Sequence, residues 1–382
     1  MVILLSFVYI LFEPKTASAA TFDVTSYGAI GDGNTYDTEA FVKAWGDLCG
    51  DDSEDPTLVV PSDKTFLIQC VSFVGPCKAS SVHFQLLGDI TAPKSRDGWK
   101  GCDTNYLMFF QSVQGLIMDG PGQIDGQGSI WWPRSIVKLL RFEKCNGLQL
   151  EGSRYTNSPQ SHVRIEGCEG VDVGNLHISA PEHTPNTDGI DISWSSHINI
   201  HDSVIESGMT SRNSQFLIWK NNLTGIFDIN VTGITCGPGH GISIGSLGKN
   251  GVESTVEQVQ VRNCNLTGTS NGVRIKTVPN GKGYARSILF EDINFVNVKN
   301  PIIIDQHYSD APNTAVKVSD VTYRNIHGSS ASKIAINFDC DEEVKCTGIV
   351  TNEVGITGDD VYAECKNVDG EFTDTTPQIT CN

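Results

Sequence analysis

The sequence predicts an all-β solenoid, a single elongated parallel β-helix with a short N-terminal capping helix. Three observations carry this. Segments with apolar side chains two apart recur along the chain: Val171-Asp172-Val173, Ile198-Asn199-Ile200, Ile229-Asn230-Val231, Val259-Gln260-Val261, Ile288-Leu289-Phe290 and Val316-Lys317-Val318. They return at roughly 25 to 35 residues, which suits stacked coils that bury a continuous Ile/Val core. Hairpin turns of the Asn-Gly type do not regularly separate them, which disfavours a β-sandwich.

Taken in order, the chain opens with the apolar run Met1 to Phe12, too short to span a membrane comfortably, followed by the small-x-small pattern Ala17-Ser18-Ala19. Residues 1–19 read as a secretory signal and residues 20–382 as the β-helix. Gly31-Asp32-Gly33 reads as a structural turn. Asp37 to Leu48 reads as a helix capped by Asp37, with Ala40, Phe41, Ala44, Trp45 and Leu48 at helical spacing to cover the open solenoid end. Coils follow, and the cysteine-rich stretch after Cys340 closes the far end.

The 12 cysteines agree with an oxidising route, as do three Asn-x-Thr sites at Asn222, Asn230 and Asn265. Cys340 with Cys346, and Cys365 with Cys381, are close enough in sequence to staple the C-terminal coil. A net charge of −18 offers no basic stripe for phosphates, so nucleic acid is not an expected partner. The expected product is a secreted monomer, off the membrane once the signal is cleaved.

Three short motifs carry chemistry. Asn186-Thr187-Asp188 places an aspartate in a turn. Cys236-Gly237-Pro238-Gly239-His240-Gly241 sets one histidine between glycines, where a bulky ligand can approach the backbone. Arg274-Ile275-Lys276 puts two cations on one strand face, and Ile304-Asp305-Gln306-His307-Tyr308 follows.

In this order these motifs resemble those of the polygalacturonases, the pectin-cutting glycoside hydrolases, and the resemblance extends from about Tyr27-Gly28-Ala29 to the terminal cysteines. It implies a right-handed parallel β-helix, no cofactor or metal, and hydrolysis of α-1,4 galacturonosyl bonds of polygalacturonate with inversion. Residue by residue, it makes Asp188 part of the water-activating set and His240 a group that tunes or orients the acid. Arg274, Lys276 and Tyr308 become binders of galacturonate, with Asn186 holding the turn that presents Asp188. A polyanionic substrate meeting an acidic protein needs local cations, and Arg274 and Lys276 supply them. The related calcium-dependent pectate lyases are disfavoured, because Asp188 and Asp191 alone do not make a calcium cluster.

One motif of the four is missing. Where the family carries Gly-Asp-Asp-Cys, this chain reads Gly208-Met209-Thr210-Ser211, and residues 209–224 diverge locally. Reading Asp-Asp codons one base late gives Met-Thr, so a shifted frame or mis-set exon boundary stands beside a divergent gene and a silent pectin-binding protein as explanations. Cys236 loses the partner the resemblance gives it and is expected to be a free thiol or mispaired, with another cysteine left over. Three carboxylates are near in sequence. Glu206 is the first candidate to stand in, Asp202 is another, and Asp191, three residues from Asp188, is expected on the opposite strand face.

Overall fold

In a computed structural model, residues 19–102, 105–132, 137–182, 184, 187–207, 225–308 and 316–382 are described, together with the backbone of 216–218. The leader up to residue 18, Asn186, Asn222 and the stretch from Gly208 to Gln215 lie outside the described residues. The alternating segments form strands that all pair in parallel, in one sheet of 21 strands and a second of 11. Eleven rungs of the second sheet run from Val71–Val74 to Tyr362–Lys366.

Register explains the core. Val163 lies over Ile190, and Ile165 over Ile192. Further along, Ile242 pairs with Val273 and then Ile302, while Ile244 pairs with Ile275 and then Ile304. All ten side chains are fully buried. Each coil thus sets its β-branched side chains on those of the coil before, and the apolar column is continuous.

The N-terminal end is closed by the helix Thr38–Gly50, whose Ala40, Phe41, Ala44, Trp45 and Leu48 are buried, as their spacing predicts. Asp37 does not cap it as expected. Its carboxylate instead accepts the Ile30 amide at 2.7 Å and the Gly31 amide at 3.2 Å, tying the preceding turn to the helix start. Under the helix the rings of Phe73, Phe110 and Phe142 stack at 4.7 and 5.2 Å, and Trp45 packs 5.0 Å from Phe73.

Both predicted C-terminal disulfides are present, Cys340–Cys346 and Cys365–Cys381. Two more, Cys49–Cys77 and Cys70–Cys102, fasten the N-terminal end. Cys236 is free, as expected, and so are Cys145, Cys168 and Cys264. All four are buried, and burial pushes the Cys236 and Cys264 thiols up to about 12, so neither is a thiolate at neutral pH.

Two outcomes follow. Thiol titration should find four reactive groups per chain after denaturation without reductant, and almost none in the native protein; fewer than four would mean a further bridge. Phe110→Ala opens a cavity in the aromatic stack and should cost about 3–5 kcal/mol, read as a lower denaturation midpoint.

Candidate active site

Alternation that buries the isoleucines turns the residues between them outward. Along the 11-stranded sheet the register lines up Phe109, Arg141, Arg164, Asp191, Leu217, Ser243, Arg274 and Ile303 in one row. In the parallel row two residues on, Lys276 pairs with Asp305 and Asp305 with Asp339. One face of one sheet therefore gathers the charged side chains.

Lys276 is the most demanding of them, since it is only 2% exposed. Burial, and then the neighbouring Arg274, push its amine down to about 6, while Asp188, Asp305 and Asp191 act in the opposite direction. Its ammonium lies 4.6 Å from the centre of the Tyr308 ring, and the Arg274 guanidinium lies 5.8 Å from it. Arg274 is held by a bond from its Nε to the Ser243 hydroxyl at 3.1 Å. Opposite Lys276 the ladder slips between Ile244 and Leu247. Gly245 occupies that slip at φ +110°, where a Cβ would stand 2.0 Å from the Lys276 carbonyl oxygen. The expected galacturonate-binding trio, Arg274, Lys276 and Tyr308, is thus brought together.

Asp188 sits just before the strand Ile190–Ser193 and is 7% exposed. Its carbonyl accepts the His162 backbone amide at 2.8 Å and lies 2.9 Å from His162 Nδ1. Nε2 on the other side of the ring meets the Ser179 carbonyl at 3.1 Å and the Ser158 amide at 3.3 Å, so both ring nitrogens face carbonyls and a neutral ring donates to one of them. Burial pushes His162 down to about 4 against the pull of the Asp188 and Ser179 carbonyls, so the ring is a neutral clamp on the Asp188 turn. His240, also 7% exposed, is fixed through its carbonyl, which accepts from Asn271 Nδ2 at 3.1 Å.

Two expectations about spare carboxylates are reversed. Asp191 shares the outward face with Lys276 instead of pointing away from the site. Strand alternation does not reach back to Asp188, because the strand begins at Ile190, two residues after it. Lys138 and Lys276 both lie in the fields of Asp188 and Asp191 together. Glu206 belongs to the other sheet, in Val204–Glu206, where it pairs with His177 at 3.1 Å, and Asp202 pairs with His201 at 3.0 Å. Both are removed from the cleft as stand-ins.

The sequence reading also missed a cationic group on the N-terminal side of Asp191. Arg141 stacks over Phe109 at 5.0 Å and bonds Glu143 and Glu166, the latter at 3.1 Å. Arg164 reaches Glu166 at 2.7 Å, and Lys138 lies 5.3 Å from the Tyr106 ring centre. Val163-Arg164-Ile165-Glu166 carried the signal in its alternation, but nothing in it told which sheet its charges would face. Of the expected glycan sites, Asn265 is exposed, whereas Asn230 is half-buried mid-strand and its amide donates to Asn199 at 2.8 Å.

Among the described residues no group of three or more His, Cys, Asp or Glu is placed to hold a metal ion. What the face offers is buried carboxyls beside buried cations over an aromatic ring, a setting for an anionic sugar and for proton transfer to and from it.

Comparison with known proteins agrees. The profile of glycosyl hydrolases family 28 matches residues 49–377. A probable polygalacturonase of Arabidopsis thaliana is 43% identical over 380 residues, covering 95% of this chain and 81% of that protein. Polygalacturonase-2 of Solanum lycopersicum is 39% identical over 367 residues, covering 91% and 78%. Among solved structures, the polygalacturonase of Erwinia carotovora ssp. carotovora superposes with a TM-score of 0.72 at 22% identity, over 96% of this chain and all of that one, and so supports the right-handed β-helix. With the family profile spanning most of the chain and two plant relatives aligned over more than nine-tenths of it, the chain belongs to the polygalacturonases of glycosyl hydrolase family 28.

Proposed function

We propose that this chain is a secreted, monomeric hydrolase that lays polygalacturonate along the outward face of the 11-stranded sheet and cuts it there with inversion. The carrying observation is the convergence of Arg274, Lys276 and Tyr308 beside Asp188 and Asp191, five residues from three separate coils. Galacturonate carboxylates would take the place of solvent against the two buried cations, which overcomes the repulsion from an overall charge of −18. Asp188 activates water, His240 assists beside it, and Arg274, Lys276 and Tyr308 hold the sugar. Disulfides at both ends of the solenoid support an extracellular setting. Asn265 is the glycan site whose side chain stands open.

A second reading has one observation in its favour. Not one Asp or Glu occurs from Ser207 to Thr224, where the family's acid pair is expected. A chain that kept the cations and lost the chemistry would bind pectin silently.

A reducing-end assay on polygalacturonate separates the two. The hydrolase releases ends, Asp188→Asn lowers the rate by about 10²- to 10⁴-fold, and His240→Ala also lowers it. Binding with no release of ends selects the silent binder.

The sign of the pH dependence follows from Lys276. The unfolded amine titrates at its ordinary value of 10.5 and the folded one at about 6, so between these the unfolded chain holds the extra proton and stability rises with pH. A bound polyanion favours the charged amine, so binding above pH 6 takes up a proton. Affinity for oligogalacturonate should weaken by up to about tenfold per pH unit above 6, and Lys276→Met should bind weakly with a flatter profile. An unchanged slope in that variant would remove Lys276 from the contact.

A further inference from the structure

The hydrolytic reading needs a second carboxyl, and residues 208–224 contain none. Four features single out Asp191. It stands on the outward face, between Arg164 on the preceding coil and, by register, Leu217 on the next. It is 7% exposed, and its Oδ1 makes no hydrogen bond among the described residues. Three peptide units separate it from Asp188, so the two Cα atoms are at most ~11 Å apart. That leaves their carboxyl groups free to reach the roughly 6.5–9.5 Å of inverting glycosidases. Finally, both lie in the fields of the same two lysines, Lys138 and Lys276.

We propose that Asp191 is the general acid of this chain, working opposite Asp188 on a galacturonosyl bond. This rests on the hydrolytic reading above. In the step, the Asp191 carboxyl gives its proton to the glycosidic oxygen as the bond from that oxygen to the anomeric carbon breaks. A water oxygen bonds to the anomeric carbon from the other side of the ring and gives one proton to the Asp188 carboxylate. Asp191 regains a proton from solvent and Asp188 releases one. One water is consumed, one reducing end appears, and nothing is oxidised or reduced.

The surroundings suit the role. Burial raises the Asp191 carboxyl to about 6, against Arg164, the Ser161 hydroxyl, Lys138 and Lys276, which lower it. The next coil's strand, Phe216–Ile218, adds no titratable side chain by sequence. A carboxyl held there carries its proton at mildly acidic pH, as an acid must. Asp305, half-buried, is the other carboxyl with a raised value on this face. It accepts the His307 amide at 2.9 Å and pairs in register with Lys276, so it is already committed.

The test compares two substrates of the full chain, polygalacturonate and an oligogalacturonide bearing 4-nitrophenol at its reducing end. The nitrophenolate leaves without help from an acid. Asp191→Asn should lose about 10²-fold or more on the polymer and little on the nitrophenyl substrate, while Asp188→Asn loses both. Asp191→Glu, which keeps the carboxyl, should restore part of the polymer rate. Equal losses of Asp191→Asn on both substrates, or none on either, overturn the acid role and leave the hydrolytic reading standing. An unmodified chain that cleaves neither substrate overturns both.

Discussion

Backbone hydrogen bonding between coils in strict register is the constraint on which the rest depends. Every strand pairs in parallel with the equivalent strand of its neighbours, so a side chain's direction is inherited from coil to coil. Isoleucine lies over isoleucine inside, and whatever alternates with it lies over its counterpart outside. Charges far apart in sequence, such as Arg164, Asp191 and Arg274, enter one row without any long-range contact to select them. The exceptions have local causes. At Gly245 the ladder slips, and only a residue without Cβ fits against the Lys276 carbonyl.

Electrostatics then sets what the row can do. An acidic protein has withdrawn two cations almost wholly from water, against an aromatic ring and within reach of three carboxyls. Burying charge is costly unless it is compensated. The arrangement holds Lys276 close to neutrality at ordinary pH and leaves it ready to charge when anions arrive. The same burial acts in the opposite sense on Asp191 and Asp305, raising both. Acid and base forms thus coexist within a small volume, a condition for moving protons between them.

Much of this was legible in the sequence, because a period of two along each strand and a longer period between coils are the two signals a solenoid writes into its residues. The capping helix, the coil core, the C-terminal disulfides, the free Cys236 and the trio Arg274, Lys276 and Tyr308 could all be read. Asp191 could not, because alternation was extended back through Asp188, which precedes the strand. Glu206 was misjudged for a related reason. Nearness in sequence to a motif says little when the chain turns into a different sheet within a few residues. The arginines at 141 and 164 and the clamp by His162 were invisible because each depends on what the adjacent coil presents, not on its own segment.

The solenoid's nearest-neighbour construction has one more implication. The strand Phe216–Ile218 lies within the run where the family motif is lost, yet it pairs with Ile190–Ser193 before it and Ile242–Leu247 after it. A globular core shares each side chain among many elements, so a corrupted stretch spreads its damage. Here a divergent stretch need satisfy only two neighbours, and a short apolar strand meets that demand. The architecture confines a local change of sequence to one coil and its two neighbours, so the outward face can diverge at one rung while the rungs on either side keep their register.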